Sequence, residues 1–275
     1  GRFGGSGRYL KFYNSNTGGQ TFRFINDASY NTITYCIVDG MRVSPTSGII
    51  DFGSTTGTTG NDFNTVSYCT MKDVSSNTLQ NAIVSNGSTT VGRYNNNITI
   101  SNNEIANVYV NGQNCSAILL LNGSTDFTIT GNSIFLTTTK TPTSATIWIL
   151  IYINTSIANN ITVNNNYLGG SSSNCGGAPW TISGTRSNAF YGIRFQTAGT
   201  TASSNINGNT IANINFTSTP SSSGVGYFSG IIVESGYVNI GSTTGNTIGN
   251  TTSNSNITLT YNGTTNNIIN RGIVH

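Results

Sequence analysis

The sequence predicts an all-β chain wound into a right-handed parallel β-helix, a solenoid of about seven coils. A short motif recurs along the chain at intervals of 29 to 43 residues. Apolar residues fall in short runs, such as 117–121 and 230–233, between clusters of Asn, Gly, Ser and Thr, as buried strands do. Only 7% of residues are charged, and residues that favour helices are scarce.

The recurring motif consists of an apolar residue, two spacers, Asn or Cys, one spacer and a second apolar residue. Residues 32–36, 65–69 and 99–103 contain the first copies, and a looser copy ends at Asn246. Equivalent residues of successive coils stack in a solenoid, so the Asn or Cys position predicts a structural ladder of side chains at a bend. The predicted ladder contains Cys36, Cys69, Asn103, Asn132, Asn166, Asn209 and Asn246.

A second family of apolar strands precedes each motif, and its outward column is the predicted binding face. We expect Arg23 and Arg194 to point to solvent, which sets the alternation of the strands. The residues assigned to this column are Arg23, Ile50, Val84, Leu119, Ile151, Arg194 and Ile232. Such an apolar stripe implies a cover: the chain's own loops, a neighbouring domain or a binding partner.

The repeats resemble those of the pectin-lyase-like β-helix superfamily, on residues 97–105 and 127–134. The composition, rich in Asn, Thr, Ser and Gly, is similar to that of the β-helix repeat regions of secreted Bacteroidota surface proteins. The resemblance covers the chain from about residue 21 and implies the fold. It leaves the function open, because this fold includes lyases, hydrolases, tailspikes, adhesins and spacers.

Composition limits the partners and the location of the chain. The net charge of +3 comes from scattered residues, so we expect no nucleic-acid partner, and no apolar run is long enough for a membrane span. We expect one β-helix domain over residues 1–275, with residues 1–20 as an N-terminal cap or lead-in strand. It is expected to be a fragment of a longer secreted or cell-surface protein.

The cysteines leave two alternatives open. Cys36 and Cys69 share a column on adjacent coils, which suits either a disulfide in an oxidising compartment or two stacked thiols. The cysteine spacings do not suggest a zinc site, and we predict neither a metal nor a cofactor.

The chain's eight carboxylates are expected to lie in different columns, which disfavours the carboxylate pair that hydrolases need. We therefore predict a non-catalytic structural or adhesive module, with self-association, neighbouring domains or surface glycans as partners. A polysaccharide lyase or glycoside hydrolase with a loop-built site, and a carbohydrate-binding module of the tailspike kind, remain the alternatives. No Thr-X-Thr column is expected to repeat at a fixed offset, so ice binding is not favoured.

Overall fold

The computed structural model describes residues 7–220, 224–249, 256–263 and 268–274. Every regular element in these ranges is a β-strand, and all strands pair in parallel within four sheets. The predicted parallel β-helix is therefore confirmed.

The first three sheets run the length of the stack, and the fourth joins it in the last coils. Sheet A contains β1 (Leu10–Asn14), β4 (Cys36–Gly40), β7 (Thr70–Asp73), β10 (Glu104–Ala106), β13 (Ser133–Phe135), β16 (Tyr167–Leu168), β20 (Thr210–Ile211) and β24 (Thr247–Ile248). Sheet B contains β2 (Phe22–Phe24), β5 (Ile50–Phe52), β8 (Asn81–Ser85), β11 (Asn114–Leu120), β14 (Ile147–Asn154), β18 (Ala189–Thr197), β22 (Gly224–Val233) and β26 (Ile268–Val274). Sheet C contains β3 (Thr32–Thr34), β6 (Thr65–Ser67), β9 (Thr99–Ser101), β12 (Thr128–Thr130), β15 (Thr162–Asn164), β19 (Ser204–Asn207) and β23 (Val238–Ile240). Sheet D contains β17 (Trp180–Ile182), β21 (Ile214–Ser218) and β25 (Ile257–Tyr261).

The chain visits sheets B, C and A in that order, and the described strands complete seven such coils. Strand β1 precedes the first coil and pairs with β4, so the predicted lead-in strand is present within residues 1–20. The first six of those residues lie outside the described ranges. From the fifth coil onward, sheet D adds a fourth side between sheets A and B.

The core is built from columns of aliphatic side chains that point into the stack. In strands β3 to β15 of sheet C the middle residue is inward, and Ile206 and Ile240 continue this column in β19 and β23. In sheet A an inward column runs from Val38 through Met71 to Ile211. Burial of such columns removes apolar surface from water in every coil, which stabilises the stack at about 25 cal/mol per Å². The inward column of sheet C consists of Ile33, Val66, Ile100, Ile129, Val163, Ile206 and Ile240.

Left-handed backbone conformations define the two corners beside sheet C. The corner before the sheet has φ between 52° and 60° in five successive coils, at Tyr30, Phe63, Asn97, Asp126 and Asn160. The corner after it has φ between 52° and 67° in six successive coils, at Tyr35, Tyr68, Asn102, Gly131, Asn165 and Gly208. Asn, Asp and Gly tolerate this region best, so their recurrence at the corners ends each three-residue strand at the same place.

The predicted ladder forms from Asn103 to Asn246. The backbone N–H and Nδ2 of Asn132 both donate to Oδ1 of Asn166 at 3.0 Å, and the same pair of bonds joins each of these asparagines to the next. Nδ2 of Asn132 also donates to the carbonyl of Ile100 in the preceding coil. Each amide from Asn103 to Asn209 thus binds the coils on both sides of its own, and Asn246 binds the coil before it.

The cysteine end of the ladder differs from one of the two predicted alternatives. In the structure Cys36 and Cys69 are two stacked, buried thiols, which is the second of the two alternatives. Sγ of Cys36 donates to the carbonyl of Thr34, and Sγ of Cys69 donates to that of Ser67. Burial raises the pKa of Cys69 to about 11.

A second set of buried asparagines lies at the corner between sheets B and C, and the sequence analysis missed it. The backbone N–H and Nδ2 of Asn61 donate to Oδ1 of Asn95, whose Nδ2 donates to the carbonyl of Phe52. Both side chains are fully buried. Their separation of 34 residues equals one coil, which is the signal that would have revealed them.

Candidate functional surfaces

The outward column of sheet B differs from the prediction at two positions. In the strand register, Arg23 lies beside Asp51 and Leu119 lies beside Tyr152. Asp51 and Tyr152 therefore occupy the places in the outward column that were assigned to Ile50 and Ile151. Those two isoleucines belong to the inward column, which runs from Phe22 to Ile273. The outward column contains Arg23, Asp51, Val84, Leu119, Tyr152, Arg194, Ile232 and Val274.

The error has a structural cause in the longer strands of sheet B. Leu150 and Ile151 are consecutive, and both pack in the core. The glycine at 192, beside the inward Ile193, faces the core side chain of Ile211. Two successive residues therefore point inward at each bend of these strands. A prediction that assumes strict alternation of inward and outward residues assigns the positions beyond the bend to the wrong face.

Most of the apolar part of this outward column is covered. Val84 is fully buried, and Leu119 and Ile232 are 3% and 7% exposed, so of the three expected covers the structure shows one within the chain itself, and these three residues do not form an open binding face. Residues 41–49 contribute to the cover: the carbonyl of Ser44 accepts a hydrogen bond from Asn81 Nδ2. Pro45 and Thr46 line a cavity of about 170 Å³ whose other walls include Leu119 and Tyr152.

At the polar end of the same column, the side chains contact one another. Arg194 forms an ion pair with Glu234 at 2.8 Å, and its guanidinium lies 5.6 Å and 5.0 Å from the ring centroids of Tyr152 and Tyr191. Tyr152 donates its hydroxyl hydrogen to the side chain of Gln196. These contacts use the charges and ring faces that a ligand would need.

All eight carboxylates lie in the described ranges, and each has a partner within the protein. Glu104 pairs with Arg8, Asp39 with Lys11, and Asp51 lies 3.9 Å from Arg23. Glu234 pairs with Arg194, as described above. Hydrogen bonds from neighbouring groups reach the other four, Asp27, Asp62, Asp73 and Asp126. In the described part of the chain, no group of three or more His, Cys, Asp or Glu side chains is placed to hold a metal ion.

The pKa values of Asp51 and Asp27 are shifted in opposite directions. Burial raises the pKa of Asp51, against the opposing effects of the Gly48 N–H and of the Arg23 and Arg42 charges. Asp27 accepts hydrogen bonds from the Thr55 hydroxyl and from backbone N–H groups that include Thr58 and Gly60, which lower its pKa to about 2. Both arrangements fix a loop to the stack.

The outer face of sheet C carries two columns of small polar side chains in register. The first column is Thr in five successive coils, and the second is Thr or Ser in four. The first column contains Thr32, Thr65, Thr99, Thr128, Thr162, Asn205 and Asn239. The second contains Thr34, Ser67, Ser101, Thr130, Asn164 and Asn207.

Thr-X-Thr itself occurs only in the first and fourth of these coils, but a single column of threonines repeats in register, which the sequence analysis did not predict. The segments that define the repeat already contain it, because each begins with a Thr-aliphatic-Thr or Thr-aliphatic-Ser triplet in the first four coils. The alternation of strands places both hydroxyl residues of a triplet on one face. The array was not predicted because only the Asn or Cys position of these segments was compared from coil to coil, and the outward Thr and Ser residues were not.

The Thr hydroxyls of the first column face solvent without a protein partner. In the ranges that the structure describes, no hydrogen bond joins the side chains of Thr32, Thr65, Thr99, Thr128 and Thr162 to another group. Thr32 is exposed, and the other four are half-buried, as expected for side chains flanked by neighbours on an open sheet. The asparagines that follow do bond, since Asn239 Nδ2 donates to Oδ1 of Asn205.

Aromatic side chains border this face in the first two coils. The rings of Tyr30 and Phe63 stack at 4.8 Å, and those of Tyr35 and Tyr68 stack at 4.9 Å. Tyr30 is 76% exposed and Phe63 is 45% exposed, so these stacks project at the corners.

No family model, curated protein or solved structure matches the chain. Within the described ranges, the fold contains no helix with the length and apolar character that crossing a membrane requires.

Proposed function

We propose that the chain is a non-catalytic structural or adhesive β-helix module of a secreted or cell-surface protein. The observation that carries the proposal is the amide ladder from Asn103 to Asn246, in which each asparagine from Asn103 to Asn209 is buried and binds its own coil to both neighbours. Such a ladder resists separation of the coils along the axis, which is the requirement of a stiff shaft.

The use of charge supports the same function. The carboxylates hold loops or pair with single cations, as Glu104 does with Arg8 and Glu234 with Arg194. The covered outward column of sheet B leaves the face of sheet C as the open, repetitive surface on which the module would adhere to a partner.

The proposal is tested by pulling the protein along the stack axis in a single-molecule force experiment. We expect the wild-type coils to resist force until one large unfolding event, and Asn132→Ala to unravel from the fourth coil at lower force. Asn154→Ala, a half-buried asparagine on the outer side of β14, is the matched control.

A second measurement addresses catalysis directly. Neutral and acidic polysaccharides are incubated with the protein, with and without Ca²⁺, and unsaturated products and new reducing ends are followed. Turnover that Asp51→Asn abolishes would refute the non-catalytic proposal and favour a site built around the loop at residues 41–49.

A further inference from the structure

We infer that the outer face of sheet C binds the surface of ice crystals. The inference rests on the proposed function, because it names the partner of the open face of a non-catalytic module. The residues that carry it are the five threonines of the first column, from Thr32 to Thr162, and the Thr or Ser residues beside them in the first four coils.

The first argument is the two-dimensional repeat of the array. Successive coils are spaced at about 4.8 Å along the axis, and the two columns are about 6.6 Å apart, since two residues of a parallel strand rise about 3.3 Å each. Exact register over Thr65, Thr99 and Thr128 keeps these spacings constant from coil to coil. Ser67 and Ser101 of the second column are 7% and 9% exposed, so the accessible hydroxyls belong mainly to the first column and to Thr130. A partner with its own regular repeat can meet these hydroxyls at once, and a crystal surface is such a partner.

The second argument is that the array is ordered before it binds. Thr is stiff about χ1, and each triplet lies over a buried aliphatic residue, such as Ile100 or Ile129. The left-handed corners and the amide ladder fix the backbone on either side. Binding therefore immobilises few additional side-chain and backbone degrees of freedom. The entropic cost that weak, repeated contacts must overcome is correspondingly small.

The third argument is the chemistry of the face. Its two columns carry no charged residue, and each threonine of the first column presents a hydroxyl without a protein partner beside a methyl group, whereas Thr34 of the second column accepts a hydrogen bond from Ser67. The hydroxyl exchanges hydrogen bonds with lattice water, while the methyl gains from the loss of disordered water. A charged side chain would instead keep its own hydration shell.

The same geometry disfavours a soluble glycan as the partner. Sites for small ligands are concave, whereas this face is the outer side of a sheet of short strands. Stacking uses one ring face each of Tyr30 and Phe63, and of Tyr35 and Tyr68. Sugar rings would need such faces for their own stacking contacts.

The experiment measures partition of the purified protein into slowly growing ice, together with the shape of single ice crystals in its solution. We expect the wild type to enter the ice and to facet the crystals. Thr99→Lys and Thr128→Lys place a charged chain in the centre of the array and should abolish both effects. Thr128→Ser keeps the hydroxyl but removes the methyl and the χ1 restriction, so it should reduce them.

The matched control is Thr247→Lys, which makes the same substitution at an exposed position of sheet A. Circular dichroism and the unfolding temperature establish that each variant is folded. Wild-type protein that stays in the liquid, or an equal loss in Thr247→Lys, would overturn the inference. Binding to insoluble cellulose or chitin without partition into ice would also overturn it, yet would leave the adhesive module standing, whereas polysaccharide cleavage would refute the proposed function itself.

Discussion

Replacement of Asn132 by alanine should destabilise the stack more than any substitution of an outward asparagine. The side chain is fully buried, and its Oδ1 accepts hydrogen bonds from the backbone N–H and Nδ2 of Asn103 at 3.1 and 3.0 Å. Its Nδ2 donates to the carbonyl of Ile100 at 2.9 Å. Alanine leaves these three groups without this partner, at a cost of about 1 kcal/mol each at the lower end of the measured range, or about 3 kcal/mol in all.

The measurement is the unfolding temperature of Asn132→Ala, together with hydrogen exchange of the strands around the fourth coil. A loss of about 3 kcal/mol corresponds to a decrease of roughly 6–12 °C for a chain of this size. Because repeat stacks can unravel locally, the exchange data show whether β9, β12 and β15 lose protection first. Asn154→Ala should stay within about 0.5 kcal/mol of the wild type. Equal stabilities of the two variants would refute the view that the ladder holds the coils together.

Three further predictions concern the ladder, a loop and the thiols. Cys69→Asn should raise the unfolding temperature by about 2–4 °C, because the new Nδ2 can donate to Oδ1 of Asn103 and add about 1 kcal/mol; an unchanged or lower temperature would count against it. Asp27→Asn should lower the unfolding temperature at pH 7, and the difference from the wild type should vanish as the pH falls from 3.8 to about 2. The reason is that the lowered pKa of Asp27 in the folded state stabilises the fold above this window, and protonation removes that stability. A difference in unfolding temperature that persists at pH 2 would contradict this role of Asp27. The native protein at pH 8 should resist alkylation, because burial raises the pKa of Cys69 and Cys175 to about 11 and that of Cys115 to about 12; mass spectrometry that detects modified thiols before unfolding would contradict this.

The columns that repeat in every coil could be predicted from sequence, and the features that depend on bends or loops could not. Asn103 and Asn132 were found because one chemical role recurs at one offset in the motif. Ile50 and Ile151 were misplaced because alternation assumes a straight strand, whereas sheet B turns two successive residues inward. The cover over Leu119 was not predictable in detail, because the path of residues 41–49 depends on tertiary contacts.

In-register stacking also explains why the chain has so few charges. A charged residue that recurred at one position would meet its own copy about 4.8 Å away, at a cost of about 1 to 3 kcal/mol per pair. Where the described strand registers pair two charges on adjacent coils, the charges are opposite, as with Arg23 and Asp51 and with Asp39 and Lys72. Neutral side chains escape this cost and gain from repetition instead. Inside the stack, each repeated asparagine amide forms hydrogen bonds with the amides of the adjacent coils. On the outer face, the repeated threonines of the first column form no such bonds with one another. A regular row of hydroxyls is therefore available to a partner with a matching repeat.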